Sequence, residues 1–264
     1  MPISRRRCYN GAMSEKSVTA CLIIIGNEIL SGRTKDKNLA YLATFLNEEC
    51  GVQLRETRVI PDIEKTIIDT VNECRAKFDY VFTTGGIGPT HDDITADSIA
   101  KAFGVPWELH PEAHELLKEY YGPEGVSSAR ARMAHTPKGA ELVDNPISKA
   151  PGFRMENVYV LAGIPVVMQA MLESLKHQIA GGKPVRSRAV TLNMPESEIA
   201  GTLGDLQGAH DGIDIGSYPF YRKGRGGTAI ILRSTDEDLL DKVAQEVFET
   251  AFELGGDPEF GDTS

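Results

Sequence analysis

Residues 83–95 read TTGGIGPTHDDIT, which puts three glycines, a proline, a histidine and two adjacent carboxylates into one short stretch. An apolar run, Tyr80-Val81-Phe82, enters it and a helical pattern over residues 94–103 leaves it. A strand, a glycine turn and a helix N-terminus in that order form an anion site, because free backbone N–H groups and the helix dipole point at one spot. Thr84, Gly85, Gly86, Gly88, Pro89 and Thr90 are the candidate binding loop. Asp92 and Asp93 would repel a phosphate there unless a cation lies between.

A second carboxylate, Asp62 in RVIPD, also follows a predicted strand at its turn. Asp62 and Asp93 at one sheet edge could hold Mg2+ or another divalent metal through water and phosphate oxygens. The metal would cancel the charge that excludes an anion and polarise a phosphoryl group. The same two aspartates also suit helix N-caps, since helical patterns begin at Ile63 and Ile94. Spacing alone leaves both readings open, and Asp92 reads as a loop or cap residue. His91 is expected to be a polar loop residue rather than a base.

Other chemistries find less support. No Lys-Ser/Thr pair follows the glycines, so this is not the NTP-hydrolysing phosphate loop, and the dinucleotide pattern GxGxxG is missing. His110 and His114 share a helix face at i, i+4 but have no third ligand nearby, so no zinc site is expected. YPFYRKGRGG groups Arg222, Lys223 and Arg225 with aromatics, either as a hairpin that touches a phosphate or partner or as a solvated turn.

The elements that must position these residues alternate. Residues 18–26 are nearly all apolar, as in a strand buried on both faces. Leu39, Leu42, Ala43, Leu46 and Cys50 then recur at helical spacing up to Gly51. A strand follows over 52–60, a helix on the face of Ile63, Ile67, Val71, Cys74 and Phe78, and a third strand over 80–84. That alternation predicts a doubly wound, mostly parallel sheet, whose ligands bind beyond the carboxyl ends of the strands. Residues 27–38, Pro61-Asp62 and the glycine loop should therefore meet, with Asn27, Glu28 and Asn38 lining the facing side. Later come helices over 111–121 and 127–134, a loop-rich stretch over 136–153, a strand over 158–162 and a helix from the Gly163-Ile164-Pro165 turn.

AGGKP at 180–184 marks a domain boundary. Beyond it, periods of 2 and 3.6 predict a strand (188–192), a helix (196–206), two short strands (213–218 and 228–233) and a helix (237–254), a small α+β domain over 185–255. Residues 1–17 are expected to be a disordered tail, with Met13 as an alternative start, and residues 256–264 a loose one.

With 264 residues, a net charge of -10 and a sequence pI near 5.2, the chain can bury a sizeable core but offers no basic stripe for nucleic acid or an anionic membrane. No apolar run reaches membrane-spanning length. Cys8, Cys21, Cys50 and Cys74 show no CxxC spacing, which predicts reduced thiols in a cytoplasmic protein, with the last three buried.

GNEILSG, Asn38, RVIPD and TTGGIGPTHDDIT together resemble the molybdopterin-binding MoaB/Mog domain, above all its version in CinA-type proteins and in some eukaryotic FAD synthases. APGF at 150–153 and VYVLAGIP at 158–165 are similar to later segments of that family, and SEIAGTLGDLQ with IDIGSYPF to the small middle domain of CinA proteins. The resemblance implies a three-layer α/β/α sandwich, assembly as a homo-dimer or homo-trimer, and an adenine-nucleotide or pterin ligand. It also implies that Asp62 and Asp93 matter for Mg2+-dependent chemistry, and that Gly163 and Pro165 belong to the site. Two activities follow: a metal-dependent pyrophosphatase on ADP-ribose or an FAD-like dinucleotide, or binding or adenylylation of molybdopterin. A non-catalytic nucleotide-sensing module is the third possibility. The family's later turn is Pro-Gly-x-Pro with a glutamate soon after, whereas this chain has Ala162-Gly163-Ile164-Pro165-Val166-Val167. The amidase domain that often follows in CinA proteins, and its activity, are not expected.

Overall fold

The computed structural model of the chain describes residues 17–179, 181–222 and 225–261. Most of the expected N-terminal tail, with Cys8 and Met13, lies outside the described residues, as do Lys223 and the side chains of Arg222 and Arg225. The chain divides between Gly182 and Lys183 into two compact units.

In the first unit, β1 (Thr19–Ile25) is followed by a single turn, α1 (Asn27–Leu30), and by α2 (Asn38–Thr44), which widens into a π turn over Phe45–Cys50. Gly51, at φ 65°, ends that helix in the left-handed conformation, as its position after the apolar repeat predicts. Then come β2 (Gln53–Ile60), α3 (Glu64–Lys77), β3 (Tyr80–Thr84) and α4 (Thr95–Phe103). The looser stretch holds β4 (Trp107–Leu109), α5 (Pro111–Tyr121), α6 (Ser128–Ala131), β5 (His135–Pro137), β6 (Glu141–Val143) and β7 (Gly152–Met155). The helix expected over 127–134 is thus only one α turn, continued by a 3-10 turn. β8 (Val158–Leu161) and α7 (Pro165–Leu175) complete the unit.

The main sheet runs β2-β1-β3-β8-β7-β6. Its first four strands are parallel, including the pairing of β1 with β3 from Ala20↔Tyr80 to Ile24↔Thr84, while β7 runs antiparallel to both its neighbours, β8 and β6. β4 and β5 form a separate antiparallel ribbon. Strand side chains alternate between faces, so β1 feeds two cores. Leu22 and Ile24 join Phe82, Tyr159 and Leu161 under α2 and α7, while Cys21, Ile23 and Ile25 join Val81 and Val160 under α3 and α4. The result is the expected three-layer α/β/α sandwich. Phe82 and Tyr159 stack with ring centroids 5.2 Å apart, both buried, and burying such a side chain is worth about 1.5–3 kcal/mol.

The thiols behave as core groups. Cys21 donates to Cys74 at 3.6 Å between sulfurs, and that bond together with burial holds its thiol above the usual range. Burial pushes Cys50 up to about 11.

The second unit comprises β9 (Arg186–Leu192), α8 (Glu196–Ala209), β10 (Ile213–Arg222), β11 (Arg225–Ser234), α9 (Glu237–Glu253) and β12 (Glu259–Gly261). Its antiparallel sheet, β10-β11-β9-β12, packs Val190, Leu192, Ile230 and Leu232 against Ile199, Leu203, Val243 and Val247 of the helices. Two expectations need correction. The strands read as 213–218 and 228–233 run ten residues each, paired without a break from Ile213↔Ser234 to Arg222↔Arg225. β10 passes through Pro219, which a sheet tolerates there because β10 is its edge strand. Residues 259–261, expected within a loose tail, pair with β9 instead, and Phe260 stacks on Phe248 at 4.8 Å.

Gly85 sets how closely the main-sheet strands can approach at their carboxyl ends. Its φ is +101°, and a Cβ there would overlap the Ile25 carbonyl oxygen. Gly85→Ala is expected to lower unfolding free energy by at least about 1–3 kcal/mol, the usual cost of a strained backbone, read from urea denaturation. A loss of only a few tenths would mean that the loop is free to move aside.

A second test concerns pH. Tyr41 on α2 donates to Glu173 on α7 at 2.7 Å, and this bond, with burial, pushes the phenol up to about 12. A raised folded pKa means that the bond's contribution is whole below the unfolded value of about 10 and is lost as pH rises to about 12. The stability gap between wild type and Tyr41→Phe should therefore narrow over that window in urea midpoints, and a constant gap would exclude the bond.

Candidate functional site

Strand order reverses around β1, with β2 on one side and β3 on the other. Connections leaving their carboxyl ends diverge, which opens a crevice at the switch point. Backbone bonds hold the crevice rim: Gly26 N–H donates to Ile60 O at 3.1 Å, and Gly85 N–H to Leu161 O at 3.3 Å. The loop after β3 is pinned from behind by Thr95, whose N–H donates to Gly86 O and whose hydroxyl donates to Gly85 O, both at 3.0 Å. Among the described residues, the N–H groups of Gly86, Ile87 and Gly88 meet no protein acceptor.

Neither aspartate is a helix cap. Ile63 and Ile94 occupy the cap positions of α3 and α4 without a side-chain bond, so each carboxylate lies one residue too early. Asp62 Oδ2 instead accepts the Asn27 N–H at 2.8 Å, which ties the end of β2 to the start of α1. Asp93 Oδ2 accepts the Thr90 N–H at 2.8 Å and its hydroxyl at 2.5 Å. The same hydroxyl lies 2.5 Å from Asp92 Oδ1, and with Asp92's own backbone N–H it holds that carboxyl below the usual range. Asp62 Oδ1 and Asp93 Oδ1 keep no protein partner among the described residues. β2 and β3 are two strand spacings apart, about 10 Å between axes. Among the described residues, no three His, Cys, Asp or Glu side chains converge as a metal site.

The facing side contains what the sequence placed there, in a more constrained form. Asn38 is buried; its Nδ2 donates to Gly163 O at 2.9 Å while its Oδ1, shut off from solvent, has no partner. Gly163 lies against Gly85, where a Cβ would come within 3.2 Å of the Gly85 Cα. Pro165 opens α7 at its first turn, where its missing N–H would have been unpaired anyway. The buried Thr84 hydroxyl also lacks a partner. Asn27 is exposed at the start of α1, and the Glu28 carboxylate folds back over Gly26. Pro89 and Thr90 are exposed, and the His91 side chain is 97% exposed, as a polar loop residue should be. His110 caps α5, its Nδ1 accepting from the Ala113 N–H at 3.4 Å.

Sequence reasoning missed one group. A pocket beside the glycine loop is lined by Gly86, Gly88 and Asp93, and from the looser stretch by Trp107, Arg132 and Phe153. Trp107 comes from β4 and Arg132 from the 3-10 turn after α6. No spacing links them to the loop; an arginine and the sole tryptophan in an acidic chain were the available hint.

No described helix is long and apolar enough to cross a membrane. Comparison with known proteins agrees with the geometry. A family profile described as probable molybdopterin binding domain matches residues 21–181, and one described as FAD synthase, middle domain, matches residues 184–253. A protein of Pyrococcus furiosus is 34% identical over 242 residues, covering 85% of this chain and 93% of its own length. One of Pyrobaculum calidifontis is 34% identical over 212 residues, 76% of this chain and 80% of its own. The crystal structure of the protein CinA of Thermoplasma acidophilum, described as of unknown function, matches with a TM-score of 0.57 at 32% identity, over 61% of this chain and 99% of that one. A three-layer sandwich with its glycine loop at the switch point, matched by the family profile over most of its length, places this chain in the molybdopterin-binding domain family, with an FAD synthase middle domain following.

Proposed function

We propose that the first unit is a divalent-metal-dependent hydrolase that cleaves the pyrophosphate of ADP-ribose or of an FAD-like adenine dinucleotide. The observation that carries this reading is the state of the two aspartates. Each spends one oxygen on a local N–H that fixes its loop, keeps the other free of protein bonds, and caps no helix. Two hard oxygens from separate loops suit Mg2+, which is usually held by one or two carboxylates and completes its shell with ligand phosphate and water. Asp62 and Asp93 would hold it, and the ion would supply charge neutralisation and polarisation of a phosphoryl oxygen. The free N–H groups of the glycine loop would receive the phosphate oxygens, and Thr90 keeps Asp93 turned to its task. Asn27 and Glu28 would contact the nucleoside side of the ligand, with Asn38, Gly163 and Pro165 shaping that wall. The FAD synthase middle domain match favours a flavin dinucleotide among the substrates.

Hydrolysis would add water across the phosphoanhydride, so ADP-ribose would yield AMP and ribose 5-phosphate. The second reading, binding or adenylylation of molybdopterin, is favoured by the family profile over residues 21–181. It uses the same loop and aspartates, with the unconventional AGIPVV turn counting toward plain binding. Assembly as a homo-dimer or homo-trimer goes with either reading.

Purified protein with Mg2+, Mn2+ or Co2+ and ADP-ribose, FAD, NAD+ or ATP should release AMP from at least one substrate. Asp93→Ala and Asp62→Asn should each cut that rate by about a hundredfold, the upper range for disturbed metal sites. No turnover, together with a melting temperature raised by a pterin, would overturn the hydrolase in favour of the binder.

A further inference from the structure

The two edges of the second unit's sheet carry opposite charge and the same kind of apolar side chain. The order β10-β11-β9-β12 leaves β10 at one edge and β12 at the other. At the β12 edge, Phe260 stacks on Phe248 with ring centroids 4.8 Å apart. Phe252 follows Phe248 by one turn on the same face of α9. Phe252 is 70% exposed and Phe260 57%. Their surroundings are acidic: residues 245–261 contain five carboxylates and no lysine or arginine. Glu249, Glu253 and Glu259 are exposed, and among the described residues none of them is in an ion pair.

At the β10 edge the charge is inverted. Tyr218 and Tyr221 are exposed, the latter by 77%, and YPFYRKGRGG at 218–227 contains Arg222, Lys223 and Arg225 with no carboxylate. β10 and β11 stay paired as far as Arg222↔Arg225, so these cations belong to the hairpin end. Exposed aromatics supply the anchors of protein contacts, and complementary charge around them selects the partner and its register. Each edge would repel a copy of itself and attract the other edge, so the partner that fits is a second copy of this chain. We propose that the aromatic, basic hairpin of one copy docks on the acidic face around Phe252 and Phe260 of the next. The contact is head-to-tail, since one copy can use both edges at once. Pro219 in β10 and the three-residue length of β12 blunt the two edges against main-chain pairing, so side chains carry the contact. The docking is independent of the reaction proposed for the first unit.

A photo-cross-linking side chain at the exposed position 252, Phe252→benzoylphenylalanine, tests the contact in the full chain. In an irradiated equal mixture of unlabelled and nitrogen-15-labelled copies, position 252 should cross-link to residues 217–226 of a copy with the other label. The yield should fall as salt rises from about 0.05 to about 0.5 M, because the charges are exposed. Lys223→Glu with Arg225→Glu should cut the yield by about tenfold, and so should Glu249→Lys with Glu253→Lys, each at an unchanged melting temperature. A chain with all four substitutions exchanges the signs of the two edges and should recover the yield, which a merely structural role for these residues would not produce. The docking is overturned if every cross-link stays within one copy, if position 252 instead reaches residues 245–261 of the second copy, or if the four substitutions together give no more yield than either pair.

Discussion

The contact on which this site depends is the approach of Gly85 to the end of β1. β1 and β3 are hydrogen-bonded neighbours at the centre of the sheet, and at their carboxyl ends the chain leaving β3 turns across the Ile25 carbonyl with no room for a side chain. A left-handed φ at Gly85 and again at Gly86 turns the loop there. Thr95 then locks it by bonding both glycine carbonyls, so the loop is held by its own helix rather than by a ligand. Everything else in the crevice is arranged around that fixed loop. Gly163 rests on Gly85, and Asn38 is held by Gly163 in turn.

Charge in the crevice is balanced locally and sparingly. Asp62 is tied to the start of α1 by the Asn27 N–H, and Asp93 is held by Thr90. Each bond fixes a carboxylate without consuming it. Arg132 braces the Asp93 main chain and lies over Trp107. Carboxylates and a neutral glycine backbone at one sheet edge suit a ligand that carries both an anion and its counter-cation, and this is the common chemistry behind the readings proposed for the unit.

Much of the fold was legible because strong patterns there have one physical meaning. The run TACLIII is apolar on both alternating faces, and only a strand covered by helices on both sides buries all of it. The second unit shows how a local signal misleads. The strand expected to stop at 218 runs on through Pro219, which an edge strand tolerates, and the Gly- and Pro-rich tail hides Phe260, which the sheet and Phe248 hold in place. In both cases the deciding neighbour is distant in sequence.

The sequence by itself determined the central sheet, the glycine loop, and the placing of Asn38, Asp62 and the loop after strands of one parallel sheet, because alternating strands and helices leave parallel strands little choice of arrangement. It could not decide between metal ligand and helix cap for the aspartates, since both need a carboxylate near a helix start. The tertiary structure removed the cap by a single residue of offset, with Ile63 and Ile94 at the helix ends and the carboxylates turned to Asn27 and Thr90. It alone brought Trp107 and Arg132 to the loop. They come from a stretch with weak periodicity, and their position is set by the β4–β5 ribbon and a 3-10 turn rather than by any pattern along the chain.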